Sequence, residues 1–377
     1  MYSRETEASK MQDTKKLPTV SSHEDEESQQ TSRDLLQTIT LSYQTLIDTF
    51  RREGHFQIEY PKSRDGWWRT LFIWEGRSLD LIASPFFLSV LHAVGYCIVH
   101  ELVMDLARHE VEVWEVFFPL VLSTTLSLLL VFRLNRAADR WWTSRIKWGQ
   151  IIAITRNLVS GLVTHAEHHQ DARDRTIQWI LTFVIATMER LRDVKVPPKE
   201  NFAGVLCERQ FKEMVGVDHP PMYAADQARH FLAQVFEIDA DTPIVMANRK
   251  TQHLNKMETM IDELMLCCGA MERIKATPLP IVYVSHLRTF LLLSLLMIPY
   301  AWGPSWGWAT IPFVAVTSFA WLGIEAASMD AEYPFSSVRR NALDMDSYCL
   351  LVIQGTMQQL QQHAKRNGTV SKEQYKV

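Results

Sequence analysis

Three long runs without any charged side chain constrain this chain more than any other feature. Leu81–Val99 spans 19 positions and Val116–Phe132 spans 17 positions without Asp, Glu, Lys or Arg, and Thr289–Ile324 carries no charge at all. A membrane-crossing helix needs about 20 apolar residues. The third run is interrupted only by the turn-forming sequence Gly303–Gly307, which predicts two spans there. Helices of a large soluble core would carry a polar stripe, and these runs lack one. The predicted spans are about 80–104, 114–134, 280–302 and 308–329.

Basic residues predict which side of the membrane each loop occupies. Lys and Arg flank the start of the first span and the end of the second, whereas the loop between these spans offers only Arg108. Loops rich in Lys and Arg stay cytoplasmic. We therefore expect a multi-pass membrane protein with both termini and the segment 135–279 on the cytoplasmic or topologically equivalent side.

The overall composition excludes several other classes of protein. The net charge of -4 argues against a nucleic-acid partner, and five cysteines without paired spacing argue against a disulfide framework or structural zinc. Residues 1–55 are polar and are predicted to be a disordered tail. Residues 356–377 are predicted to be a C-terminal tail. Helical periodicity predicts helices for 135–279, with breaks at Pro197-Pro198 and Pro220-Pro221.

One face of the second span is a candidate functional surface. Thr124, Leu128 and Phe132 recur every four residues and therefore share a face of a helix. The other faces are equally apolar, so periodicity alone does not select a pore face. Pro119 lies within the same span, where it either breaks the helix or only kinks it. The basic and aromatic block that follows the span is also typical of a helix end that binds the headgroups of membrane lipids.

Four sequence blocks resemble the bestrophin family of anion channels, in its bacterial, plant and fungal branch. The string FRLNRAADRWWTSRIKWG at Phe132–Gly149 is similar to the signature of that family. Trp68–Ser78 before the first span, Glu272–Phe290 around the start of the third and Glu332–Asp346 after the fourth agree in order and spacing. The four blocks bracket residues 65–355, and the predicted channel domain is 56–355.

The resemblance implies an all-α membrane protein that forms a homopentamer and conducts chloride and other small anions through an axial pore. Three rings from the second span form the apolar neck in that family, and counting back from the R-W-W string assigns them to Thr124, Leu128 and Phe132. Thr124 departs from the apolar residue usual at the outer ring.

Two further rings are expected on the cytoplasmic side of the neck. Arg133, Arg136 and Arg140 would surround the inner mouth and concentrate anions. For Arg140 and Asp139, the favoured interpretation is instead that the two side chains pair within the fold. Ile244 and Val245 are candidates for a second, cytoplasmic constriction.

Calcium regulation, which animal members of the family have, is doubtful in this chain. The stretch after the fourth span reads SSVRR at Ser336–Arg340, and basic side chains cannot ligate calcium. Glu332, Asp344 and Asp346 are too scattered to replace an acidic run, and Asp344 or Ser347 is a candidate helix cap.

Three alternatives remain open at this point. The first is a cation channel of the same fold. The second is a membrane redox protein in which His92, His100 or His286 ligates haem. The third is hydrolytic chemistry at the metal-like group His165, Glu167, His168 and His169, which lacks the HExxH spacing and is interpreted as a solvated helix end. No cofactor, metal site or catalytic residue is predicted.

Overall fold

The computed structural model describes residues 43–48, 79–104, 112–166, 169–194, 196–337, 339 and 341–366, with side chains at all of these except 79, 102–104 and 112–120. Residues 1–42 and 49–55 of the predicted N-terminal tail, residues 367–377 of the predicted C-terminal tail and the block before the first span lie outside the described residues. The regular structure within the described ranges is helical, which confirms the predicted all-α class. The main helices are α1 (Leu79–Ile98), α2 (Glu112–His165), α3 (Gln170–Leu191), α4 (Glu208–Val215), α5 (Pro220–Val235), α6 (Ile244–Ala276), α7 (Ile281–Trp306), α8 (Thr310–Glu332) and α9 (Met345–Arg366).

The apolar helices form a bundle of their own. Among the described residues, three helical stretches are long and apolar enough to cross a membrane, namely Asp80–Glu101, Val121–His165 and Ile281–Glu332. The last stretch contains both α7 and α8, joined by a 3-10 turn at Gly307–Ala309. Leu126 and Leu130 of α2 pack with apolar side chains of α1, α7 and α8 in one cluster. The chain is therefore a membrane protein, and its division into four spans stays a prediction.

The reversal between α7 and α8 falls slightly later than predicted. Helix α7 continues through Gly303 and Pro304 to Trp306, and the chain turns at Gly307, where φ is +51°. An L-amino acid other than glycine rarely adopts this backbone conformation. Gly303 has a different role, because a Cβ there would lie 2.2 Å from Cε1 of Tyr96. Glycine thus allows α1 and α7 to approach closely at one position and the chain to reverse at the other.

The remaining helices surround a second core. Helix α3 is buried on nearly all sides, as expected for the central helix of a globular part, and it packs mainly against α5. Trp179 and Phe183 of α3 are 2% and 1% exposed. The predicted break at Pro220-Pro221 is confirmed, since these residues begin α5.

Both predicted tails reach into this second core, which corrects their boundaries. Residues 43–48 are helical, and Tyr43, Leu46 and Ile47 are at most 3% exposed, so the segment does not belong to a disordered tail. Helix α9 continues to Arg366, with Leu360 and Ala364 buried. Hydrophobic burial accounts for both differences, because a few apolar side chains anchor segments of polar average composition.

Helix α2 joins the two cores without interruption. It runs for 54 residues, which corresponds to about 80 Å at 1.5 Å per residue. Its backbone stays helical through Pro119, so a break of the helix at that residue is excluded. The predicted second span and the start of the segment that follows it are therefore one helix.

Candidate pore-lining site

The predicted neck residues lie on the side of α2 that faces away from the rest of the subunit. Thr124, Leu128 and Phe132 are all exposed, the latter two at 56% each. The opposite side is buried and consists of Leu126, Leu130, Arg133 and Ala137, each at most 1% exposed. At 3.6 residues per turn the centres of the two sets are about 170° apart. The structure therefore distinguishes the faces of α2 that the sequence pattern left equivalent.

The exposed side continues along the whole described length of the helix below the neck. Residues spaced by three or four positions are all exposed, and we call this set the α2 stripe. Its members after Phe132 are Asn135, Asp139, Trp142, Ile146, Gln150, Ala153, Asn157, Ser160 and Thr164. A stripe of this spacing follows one side of a helix with little drift.

Arg133 is buried directly behind the neck face. Its Nε donates a hydrogen bond to Glu325 (3.3 Å) and its Nη2 donates to Glu332 (2.7 Å). Glu325 also accepts from Nε of Arg288 (2.9 Å), and Glu332 accepts from the backbone N–H of Leu279 (3.1 Å). We call Arg133, Arg288, Glu325 and Glu332 the ion network. Their formal charges cancel, so the prediction that Arg133 surrounds an inner mouth is wrong.

Sequence reasoning missed the partners of Arg133 although a signal was present. Arg288 and Glu325 are opposite charges inside the predicted third and fourth spans. Ionisable side chains within membrane spans are costly and usually pair with one another. The pairing links α2, α7 and α8 at the end of the apolar bundle that is nearer the second core.

The other two arginines of the predicted basic ring differ from each other. Arg140 donates to three main-chain carbonyls, those of Ile274 (2.6 Å), Thr277 (2.6 Å) and Glu332 (3.4 Å). The predicted pairing of Arg140 with Asp139 is therefore replaced by bonds to backbone oxygens. Arg136 is exposed, and its position at an inner mouth stays a prediction.

The candidate cytoplasmic constriction lies at the start of α6. Ile244 and Val245 are each 79% exposed, and Pro243 precedes them as the N-cap residue. Their exposure leaves them free to contact other copies or to line a passage, and their role as a constriction stays a prediction.

The carboxylates after the fourth span are engaged in other contacts. Asp344 accepts from the backbone N–H of Ser347 (3.1 Å) at the start of α9, which confirms the predicted cap. Asp346 accepts from both terminal nitrogens of Arg192, at 2.9 and 2.6 Å. Glu332 belongs to the ion network. These three carboxylates therefore serve as a helix cap and as ion-pair partners.

The histidines of the haem and metal alternatives are placed separately. His92 lies near Tyr300 with ring centroids 5.6 Å apart, His100 stacks on Tyr96 at 5.7 Å, and His286 is exposed. His165 stacks on His253 of α6 at 4.0 Å. No group of three or more His, Cys, Asp or Glu side chains arranged for a metal occurs within the described ranges, and Glu167 and His168 lie outside them.

Comparison with known proteins agrees with this architecture. A voltage-dependent anion channel-forming protein of Synechocystis is 29% identical over 288 residues, which are 75% of this chain and 88% of that protein. The voltage-dependent chloride channel 2 of Arabidopsis thaliana chloroplasts is 23% identical, over 61% of this chain and 53% of its own. The crystal structure of a bacterial bestrophin homologue from Klebsiella pneumoniae superposes with a TM-score of 0.64 at 20% identity, covering 74% of this chain and 98% of that one.

A family model extends this likeness over most of the chain. The model described as Bacterial/Fungal Bestrophin protein matches residues 58–357. This range contains all the described membrane helices, the α2 stripe and the ion network. The chain therefore belongs to the bacterial and fungal bestrophin family.

Proposed function

We propose that this protein is a chloride-conducting anion channel in which several copies, five by resemblance to its family, surround an axial pore lined by α2. The observation that carries the proposal is the exposed side of α2 at Thr124, Leu128 and Phe132, opposite a fully buried side. A helix that turns its apolar side chains away from its own subunit needs lipid or further copies to cover them. The names of the curated relatives, which are anion channel-forming proteins, support the choice of a pore.

An apolar neck restricts ion passage through dehydration. Removing water from an ion is costly, so a long apolar tube would oppose every ion. Three rings, spaced four residues or about 6 Å apart along the helix, keep the dry passage short. Phenylalanine rings present a positive edge, which favours anions over cations at the innermost ring. The Thr124 hydroxyl should wet the outer ring and weaken any gate that depends on dewetting.

The cytoplasmic part would extend the same pathway. With an even number of spans, both termini lie on one side, and the second core lies below the neck on that side. Ile244 and Val245 would form the second constriction there, where their large exposed side chains could meet around the axis.

Recording from purified protein in planar bilayers under asymmetric chloride tests the channel and the sign of its ion together. A reversal potential near the chloride equilibrium supports the proposal, and one near the sodium equilibrium would identify a cation channel of the same fold. Absence of current in the wild-type protein would overturn the proposal.

Phe132→Ala tests the assignment of the neck. We expect chloride conductance to rise several-fold and anion selectivity to fall, because the inner ring becomes wider and wetter. Phe87→Ala is the matched control, since Phe87 on α1 is 67% exposed but lies on a different span. Equal currents and reversal potentials for Phe132→Ala and Phe87→Ala would remove Phe132 from the pore.

A further inference from the structure

The three arginines after the neck do not contribute equally to the charge of the inner mouth. Arg133 is neutralised by Glu325 and Glu332, and all three guanidinium nitrogens of Arg140 are occupied by carbonyls. At about 100° per residue, these two lie about 140° and 120° from the centre of the α2 stripe. Arg136 is exposed and lies about 80° from that centre. Of the three, it is Arg136 that presents its positive charge near the pathway.

An acidic residue occupies the stripe itself. Asp139 is exposed and lies seven residues, or about 10 Å, beyond Phe132 on the same side of α2. The stripe is described without gaps from Thr124 to Thr164, and Asp139 is its single charged member over that range. Within the described residues, no hydrogen bond or ion pair joins Asp139 to another side chain. Its carboxylate is therefore free to act on ions that pass.

We propose that Asp139 lines the vestibule beneath the neck and is a specificity-determining residue that limits anion entry from the cytoplasmic side. The proposal rests on the proposed function, because it requires α2 to line a pore. Five copies of Asp139 would form a negative ring, and five copies of Arg136 would offset it from the edge of the same surface. The vestibule then carries mixed charge, and discrimination for anions resides in the neck.

The physical effect of such a ring is on local ion concentration. A negative ring in a water-filled vestibule depletes anions and enriches cations near it. The ring acts over about one Debye length, which is about 30 Å in 0.01 M salt and about 3 Å in 1 M salt. Its influence on current should therefore be strong in dilute salt and almost vanish in concentrated salt.

The experiment compares Asp139→Asn with wild type in bilayers at low and at high chloride concentration. We expect Asp139→Asn to raise chloride current several-fold in dilute salt and to shift the reversal potential toward chloride equilibrium. Both changes should shrink toward nothing in 1 M salt. A change of pore shape without a change of charge would persist at both concentrations, so the salt dependence separates the two causes.

Three further variants complete the test. Arg136→Gln should lower the chloride current and shift the reversal potential away from chloride equilibrium, opposite to Asp139→Asn. Asp139→Glu keeps the charge and should behave as wild type. Glu263→Gln removes an exposed carboxylate from α6 and should have no effect. If wild type conducts and Asp139→Asn gives the same current and reversal potential in dilute salt, the inference about Asp139 is overturned, while the proposed channel function is retained. If wild type passes no current at all, the proposed function itself fails.

Discussion

The apolar bundle and the second core place similar side chains in opposite environments. In the bundle, Phe87 is 67% exposed while the guanidinium of Arg133 is completely buried. In the second core, Phe183 is 1% exposed, and the Arg209–Glu213 pair lies on the surface. Water surrounds the second region, so apolar burial stabilises it in the usual way. Lipid or other copies surround the first, so its exposed apolar surface costs little and its charges must be neutralised internally.

The largest expected effect comes from breaking the ion network. Arg133→Gln leaves Glu332 buried without its guanidinium partner, and we expect a loss of about 3–5 kcal/mol in the free energy of unfolding. The double variant Arg133→Gln/Glu332→Gln removes one charge of each sign and leaves the Arg288–Glu325 pair intact, so it should recover most of that loss. Thermal aggregation of detergent-solubilised protein, followed by size-exclusion chromatography, ranks the stability of the single variant and of the double variant against wild type.

An ion pair outside the apolar bundle provides the control for this first prediction. Arg192 and Asp346 make two hydrogen bonds, but their side chains are 19% and 10% exposed. Asp346→Asn should therefore cost less than Arg133→Gln, because water can solvate the remaining charge. A single Arg133→Gln variant as stable as the double variant would contradict the idea that the bundle depends on internal neutralisation.

An intermediate effect is expected where the helical segment at 43–48 enters the second core. Leu46 is fully buried, so Leu46→Ala should lower the free energy of unfolding by about 2–3 kcal/mol through lost burial and a cavity. Gln44→Ala alters an exposed residue of the same helical segment and should be nearly neutral. Equal stability of the two variants would show that residues 43–48 contribute nothing to the core.

The smallest effect should appear at a partly buried carboxylate outside the apolar bundle, and it should depend on pH. Burial alone would raise the pKa of Glu272, but hydrogen bonds from Arg190 and His219 outweigh it and lower the pKa below its usual value of 4.5. A lowered pKa in the folded state stabilises the fold above pH 4.5, and this contribution is lost as the pH falls through the folded-state value. Glu272→Gln should therefore cost about 1 kcal/mol at neutral pH.

The pH dependence gives this last prediction its own check. The difference in unfolding midpoint between wild type and Glu272→Gln, measured in urea, should shrink steadily below pH 4.5. A difference that stays constant between neutral and strongly acidic pH would mean that the Glu272 charge does not contribute through these partners.

Hydropathy is sufficient to predict the apolar helices, because a run of about 20 residues without charge is rare outside a membrane span. It is insufficient to predict that α2 continues past Phe132. Hydropathy changes sharply at Arg133, but the helix depends on backbone hydrogen bonds and does not end where polarity begins. The block resemblance assigns Thr124, Leu128 and Phe132 to one face, and the burial of Leu126 and Leu130 shows that this face points away from the subunit.

Residue type alone is a poor guide to charge at the inner mouth. Three arginines in eight positions suggest a basic ring, yet the angular position of each on α2 and its partners from distant segments decide its role. Glu325 and Glu332 lie 192 and 199 positions from Arg133 in the chain, a separation that no local pattern reveals. The helical segment at 43–48 is likewise hidden, since six residues are too few to outweigh the polar sequence around them.

The continuity of α2 means that the protein cannot be divided at the membrane surface. A cut near Arg133 that releases the second core also removes residues 112–132 from the helix whose later residues Trp148, Ile151 and Leu158 are buried. A water-soluble fragment beginning near Arg133 would start with a frayed helix end and would expose the side chains that α7 and α8 normally cover. Conversely, a displacement of the second core would tilt the part of α2 that carries Thr124, Leu128 and Phe132, because the helix is continuous and has no hinge to absorb the movement.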